Sequence, residues 1–261
     1  METTAFFNLP DATLGNGHGE KTPFVATAAQ YNVSTHWRTT EVQSLNKKSL
    51  FDCFAGTIPV IRQKDFLSQD ECAKMVEVLK SHKIGIYNTD HVWPRVGCVG
   101  VAQTDHVHNK DAYFSAVNDA LSLQNRWKRE LGIDIIERVA ESLHKASGML
   151  VRKAREGERE YFAGVIRAID TGIQIHADHA PFEGNGWEIG GIVAQMSWNI
   201  LLNPVPGGDT IIYDRTWHAP QDDIKWRKEF PKYAYDPQIV DGCAIKVVKP
   251  TPGDLYWFNP R

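Results

Sequence analysis

The chain changes its apolar periodicity near residue 161, and that change limits the folds open to it. Before it, apolar residues recur at helical spacing. Ser68 followed by Glu71 is a capping-box pattern, and Cys72, Met75, Val76 and Leu79 then share one helix face, with His82 and Gly85 marking its end. Tyr113, Val117, Leu121 and Leu131 keep the same spacing, as do Ile135, Ile136, Val139, Ala140, Leu143 and Ser147, which predicts two amphipathic helices over 111–148. Beyond residue 161 the apolar runs shorten and are broken by Gly and Pro. Residues 163–169, 172–177, 190–202, 208–214, 243–249 and 254–258 read as strands, and eight of the 13 prolines follow residue 203. An earlier strand is expected over 57–64, with short strands and turns over 84–103. These strands are not interleaved with helical patterns, which excludes βαβ winding. The prediction is an α+β protein with helices packed on a β-sandwich or barrel. Residues 1–35 lack a sustained period and are expected to form a loosely ordered extension. Residues 36–261 then form one domain, helical over about 65–150 and β over about 160–261.

Composition removes several functional classes. With 261 residues, 42% of them hydrophobic, the chain can bury a core without staples. A net charge of −3 gives no broad electrostatic grip on nucleic acid or anionic lipid. No apolar run approaches the ~20 residues of a spanning helix, and the opening METTAFFNLPDA has neither the basic nor the apolar region of a secretory signal. Cys53, Cys72, Cys98 and Cys243 stand far apart with no CxxC spacing, and read as reduced, buried thiols. A cytoplasmic protein without membrane or nucleic-acid partners is expected. Oligomeric state is not legible.

The chemistry centres on His176-Ala177-Asp178. On an extended backbone residues i and i+2 face the same way, so an imidazole and a carboxylate can reach one metal ion. His18-Gly19-Glu20 and His106-Val107-His108 share the spacing but lack a predicted sheet beneath them, and read as solvated surface. Two downstream motifs set the 176–178 triplet apart: Pro204-Val205-Pro206-Gly207-Gly208-Asp209-Thr210-Ile211-Ile212-Tyr213, and later Lys249-Pro250-Thr251-Pro252-Gly253-Asp254-Leu255-Tyr256-Trp257-Phe258-Asn259-Pro260-Arg261. This order of motifs resembles the iron(II)- and 2-oxoglutarate-dependent dioxygenases. The resemblance covers about residues 57–261 and is greatest to the small stand-alone members that hydroxylate or halogenate free amino acids and alkaloids.

The resemblance implies a double-stranded β-helix (a cupin-like jelly roll) with packed N-terminal helices. It implies an oxidoreductase using Fe(II), with 2-oxoglutarate and O₂ as co-substrates, that oxidises an unactivated C–H bond of a small amino-acid-like or secondary metabolite. Two histidines and one carboxylate on one face of an iron leave positions open for a 2-oxo acid and O₂. His176 and Asp178 become two iron ligands. The family's halogenases carry Gly or Ala where Asp178 stands, so hydroxylation, desaturation or ring closure is favoured over halogenation. The family's second histidine and its 2-oxoglutarate-binding arginine follow the G-D-L-x-x-F strand, and no residue up to Arg261 matches them. The natural chain is therefore expected to continue, because LYWFNPR would otherwise leave an apolar strand at an unfilled sheet edge, and about six strands are visible where a jelly roll needs about eight. His179 and His218 are in-chain substitutes for the third ligand. A metal-free jelly-roll protein that binds a small molecule is the alternative. A zinc hydrolase lacks any HExxH-like base motif.

Other residues are candidate pocket groups. Arg167, inside an apolar run, either holds a substrate carboxylate bidentately or pairs structurally with Asp170 or a glutamate. Gln174 shares the face of His176, and His179 is a further candidate substrate contact. On 190–202, Ile192, Ala194, Met196, Trp198, Ile200 and Leu202 share a face expected to be core. Gln195, Ser197 and Asn199 share the other, where co-substrate contacts are expected. Tyr213 either points into that cavity or is a buried tyrosine with one backbone partner. Arg215, Trp217 and His218 open a long segment, 215–242, readable as a lid in which Arg215 grips an anionic group or as a charged flap. Tyr87, Trp93 and Arg95 supply a second wall.

Overall fold

The computed structural model describes residues 3–7, 34–169 and 172–261, the first of these as backbone only. The strands are β1 (Thr3–Phe7), β2 (Gln43–Ser44), β3 (Ile61–Gln63), β4 (Gly85–Ile86), β5 (Gly97–Val99), β6 (Arg155–Glu156), β7 (Arg159–Glu160), β8 (Ile166–Ala168), β9 (Ser197–Leu201), β10 (Thr210–Tyr213), β11 (Ile245–Val248) and β12 (Leu255–Phe258). The α-helices are α1 (Lys47–Phe54), α2 (Gln69–Lys80), α3 (Lys110–Ala120), α4 (Ser122–Arg126), α5 (Ile135–Ser147), α6 (Ala180–Glu183) and α7 (Gln221–Trp226). Eight strands form one mixed sheet in the order β2-β3-β12-β9-β1-β8-β5-β4, and β10-β11 and β6-β7 form two separate ribbons. The fold is thus mixed, with helices packed on a sheet, as the change of period predicts.

The helical half follows its sequence closely. The Ser68 side chain accepts from the Glu71 N–H at 3.1 Å while the Glu71 carboxylate accepts from the Ser68 N–H at 2.8 Å, which starts α2. Cys72, Met75, Val76 and Leu79 are all buried. Tyr113 and Val117 of α3 and Ile135, Val139 and Ser147 of α5 are buried as well. Trp127, 2% exposed, donates its indole N–H to the Met75 carbonyl at 3.0 Å and locks α2 to the turn after α4. Helix α1, capped by Asn46, was not anticipated.

The sheet separates two environments. Met196, Trp198, Ile200 and Leu202 alternate into the main core with Ile61, Leu255 and Trp257, against α2 and α5. The opposite face carries Asn199 and Tyr256, which pair in register. Tyr256 packs with Val60, Val248 and Ile212, so the β10-β11 ribbon covers this side. Between the layers remains a space of about 10 Å³, room for one water at most. A wider groove of about 760 Å³ lies between β2-β3 and α5. Neither hollow is lined by His176 or Asp178.

Several expectations fail. Residues 172–177 are not a strand: they run without a ladder between β8 and α6, because β8 pairs with β1 and β5 instead. The strand expected over 190–202 begins only at Ser197, so Ile192 and Ala194 are exposed rather than core. The side chain of Gln195, just before that strand, is turned to the backbone of Ala180. Strand β12 borders no open edge, since β3 and β9 flank it antiparallel on both sides. Of the four thiols, all free, Cys53 and Cys72 are buried but Cys98 and Cys243 only half-buried. The expected extension over 1–35 falls largely outside the described residues, as do His18, Glu20 and Asp170.

Candidate active site

Residues 172–179 have no sheet ladder, so each backbone group must find its partner singly. The Gln174 N–H donates to the Tyr233 hydroxyl at 2.9 Å. The Ile175 carbonyl accepts from the Tyr235 N–H at 2.9 Å, and the Asp178 N–H donates to the Pro260 carbonyl at 3.1 Å. The His179 N–H donates to the Glu183 carboxylate at 3.1 Å. Strand β12 thus delivers Pro260 against Asp178, and the 215–242 segment delivers its tyrosines against Gln174 and Ile175.

The state of His176 follows from one bond. Its Nδ1 lies 2.8 Å from the Gln174 carbonyl oxygen. A carbonyl can only accept, so Nδ1 carries a proton, and in the neutral imidazole the lone pair is then on Nε2. Metal-binding histidines are commonly fixed in this way. The imidazole is exposed, with the Tyr233 ring edge-on at 5.6 Å, and Asp178 is half-buried two residues on. One imidazole with a free Nε2 and one adjacent carboxylate fit two of the three protein positions of a facial-triad iron. Among the described residues no group of three or more His, Cys, Asp or Glu is placed to hold a metal ion.

The candidate third ligands stand apart. His179 buries its Nδ1 without a hydrogen-bond partner among the described residues and sets its ring 5.9 Å from that of Trp217. Burial pushes its pKa down, and the Arg261 charge adds to this. His218 is exposed, and its backbone N–H donates to Asp222 at 2.7 Å. His108 is exposed and His106 packs edge-on to Tyr113 at 5.9 Å.

Two of the expected substrate contacts, Arg167 and Gln174, gather with the second-wall residues Tyr87 and Trp93. Arg167 donates from Nε to the Tyr87 hydroxyl at 2.9 Å, with its guanidinium 5.3 Å from that ring. Burial raises the Tyr233 phenol, while the Gln174 N–H and the Arg167 charge pull it back. Lys228 donates to the Gln174 side-chain oxygen at 3.1 Å. Tyr233 also reaches the second wall, with its N–H 3.4 Å from the His91 carbonyl and its hydroxyl 3.5 Å from the Trp93 carbonyl. Tyr233 and Lys228 were missed by sequence reasoning. Both lie within the segment it singled out, but no period within that segment marks them.

The remaining candidates divide. Gln195 is buried and accepts from the Ala180 N–H at 2.8 Å, beside His179. Ser197 is 5% exposed, and its hydroxyl has no hydrogen-bond partner among the described residues. Asn199 lines the narrow space under the β10-β11 ribbon. Thr210 and Ile212 line that space too, and the two-residue period puts Tyr213 on the other side of β10. Arg215 does not present its fork to a ligand: it makes a bidentate pair with Asp222 at 2.7 and 2.8 Å. Trp217, 4% exposed, packs its ring near His179, Phe182 and Tyr235, and its carbonyl accepts from Arg261 at 3.0 Å.

Comparison with known proteins bears on this geometry. A family model described as carrier-protein-independent halogenase WelO5 matches residues 36–260. Leucinostatins biosynthesis cluster protein S of Purpureocillium lilacinum is 44% identical over 177 residues, covering 67% of this chain and 73% of that protein. L-gamma-glutamyl-L-propargylglycine hydroxylase of Streptantibioticus cattleyicolor is 26% identical over 228 residues, covering 84% of this chain and 82% of that protein.

Proposed function

From the premise that this chain belongs to the WelO5 family of carrier-protein-independent halogenases, and so is an iron(II)/2-oxoglutarate-dependent oxygenase, we propose that it hydroxylates an unactivated C–H bond of a small, amino-acid-like secondary metabolite. The observation that carries the reading is the His176–Asp178 pair, with Nδ1 of His176 tied to the Gln174 carbonyl and Nε2 left for a ligand. His176 and Asp178 would hold Fe(II). When bound, that ion with 2-oxoglutarate and O₂ supplies the oxidising power, coupled to loss of CO₂ from the 2-oxo acid. The carboxylate of Asp178 occupies the position where the resemblance gives halogenases a small residue, which favours hydroxylation.

The chain's own residues bind and orient. Arg167 and Lys228 bring two cations to the Gln174 side of His176, matched to a carboxylate on the substrate. The Streptantibioticus relative is a hydroxylase of a glutamyl amino acid, which fits such an anchor. Ser197, buried and without a side-chain hydrogen bond among the described residues, offers a hydroxyl to a polar ligand atom. Trp217 fills the space between His179 and Tyr235 and keeps bulk water from that flank. The β9-β12-β3 layer facing the β10-β11 ribbon is our candidate for the two walls of a double-stranded β-helix. No helix among the described residues is long and apolar enough to cross a membrane. We assign the enzyme to the cytoplasm, acting on a free small molecule without nucleic acid.

Anaerobic titration with Fe(II) and then 2-oxoglutarate tests this. The expected result is a visible charge-transfer band that is lost in His176→Ala and Asp178→Ala, with succinate formed from 2-oxoglutarate on admitting O₂ and a substrate. No band in the wild-type protein would turn the reading to a metal-free small-molecule binding protein. A chlorinated product at saturating chloride would overturn hydroxylation.

A further inference from the structure

We propose that Tyr233 is a positioning residue for His176, and that the 215–242 segment acts through it as a clamp on the iron-binding stretch. This rests on the iron reading for its consequence, but its geometry stands apart from any metal. In a sheet, ladder bonds on either side would fix the orientation of a ligand-bearing residue. Residues 172–179 have no such ladder.

Three bonds from the 215–242 segment take its place, all on the two residues before His176. The Tyr233 hydroxyl accepts the Gln174 N–H at 2.9 Å. The Lys228 ammonium donates to the Gln174 side chain at 3.1 Å. The Tyr235 N–H donates to the Ile175 carbonyl at 2.9 Å. Gln174 is also the residue whose carbonyl takes the His176 Nδ1 proton. Tyr233 therefore sits two bonds from the imidazole through Gln174, and touches it directly with its ring edge at 5.6 Å. The same residue is tied to the 88–93 loop through the His91 and Trp93 carbonyls. Movement of the segment or of that loop is transmitted to the plane of His176.

The segment itself is braced to act as a unit. Arg215 grips Asp222 bidentately and Arg227 pairs with Asp223. Arg227 also donates to the Lys232 and Tyr233 carbonyls at 3.0 and 3.1 Å, which fixes the backbone that carries Tyr233.

The test compares Tyr233→Phe with Tyr235→Phe. The second also deletes a tyrosine hydroxyl, but one that meets Asp223 rather than residues 172–179. In metal-free protein, amide exchange at Gln174 is expected to rise about tenfold in Tyr233→Phe and to stay at the wild-type rate in Tyr235→Phe. Fe(II) affinity, followed by titration, is expected to fall about tenfold in Tyr233→Phe alone, the low end for outer partners of a metal-binding histidine. Lys228→Met, which leaves the ring in place, is expected to weaken iron binding by a smaller factor in the same direction. Wild-type exchange at Gln174 in Tyr233→Phe, or equal changes in both tyrosine variants, would overturn the clamp. Faster exchange at Gln174 in a protein whose wild type binds no iron would keep the clamp and overturn the iron reading instead.

Discussion

Replacing Gly253 by Ala tests the tightest junction in the structure. Gly253 has φ +85°, and a Cβ built there would lie 2.3 Å from the Leu67 carbonyl oxygen. Its N–H donates to the Leu201 carbonyl at 2.9 Å and its carbonyl accepts from the Leu67 N–H at 2.8 Å. One residue thus joins the end of β9, the entry to α2 and the start of β12. The left-handed backbone costs an alanine roughly 1–2 kcal/mol. Pushing Leu67 away forfeits about one backbone hydrogen bond, roughly 1 kcal/mol more. The total is ~2–3 kcal/mol, or roughly 4–12 °C in melting temperature for a chain near this size. Gly207→Ala is the control: its φ is +77°, yet no atom lies within 4 Å of its built Cβ. Thermal and urea unfolding of both variants should show the Gly253 variant weaker by about 1 kcal/mol beyond the control. Equal losses at the two positions would refute the contact argument and leave only the backbone conformation.

Other outcomes rest on the same geometry. Arg167→Gln is expected to raise KM for a carboxylate substrate on the order of tenfold with kcat little changed, as steady-state kinetics would show; an unchanged KM would remove Arg167 from the substrate. The Arg215 bond holds the Asp222 carboxyl below its ordinary range. Its stabilisation is therefore complete above about pH 4, where the unfolded carboxyl ionises, and is lost as pH falls through the lower folded value. Limited proteolysis within 215–242 should thus be slow and flat from pH 8 to 5 and quicken below about pH 4, whereas Asp222→Asn should be cut quickly throughout; identical profiles would dismiss the pair as a brace. Burial raises the Cys53 thiol to about 12 and the Cys72 thiol to about 11. At pH 8 iodoacetamide should spare both in the folded protein and reach all four cysteines in urea, as intact mass would report.

The features legible in the sequence were local. The Ser68–Glu71 box, the α2 face and the alternation that sends Met196, Trp198, Ile200 and Leu202 inward rest on neighbours a few residues away. The proposed His176–Asp178 pair was singled out because its motif and the motifs after it are short and ordered. The features that escaped depend on partners far along the chain. Whether 172–177 joins a sheet is decided by β8 choosing β1 and β5. Arg215 looked available because nothing in its spacing marks Asp222 as a bidentate partner. Tyr233 and Lys228 carry no period, and their meaning appears only when the 215–242 segment lies against Gln174. The inference of an open edge beside β12 failed for the same reason: β3, nearly two hundred residues earlier, fills that side.

That placement of β12 also sets an order of events during synthesis. Ile61 pairs with Trp257, and Trp257 pairs with Trp198. While the chain emerges from the ribosome, β3 and β9 each wait with an unsatisfied side, and the slot between them stays vacant until residue 258 has been made. Loop closure over such separations is slow compared with forming α2 or α5. The helical half can therefore assemble early, and the slot between β3 and β9 closes later, filled by the strand that also brings Pro260 to Asp178. The turn that carries His176 and Asp178 acquires its Pro260 contact in that same step, so a chain that has not closed this slot lacks the arrangement proposed above to hold iron.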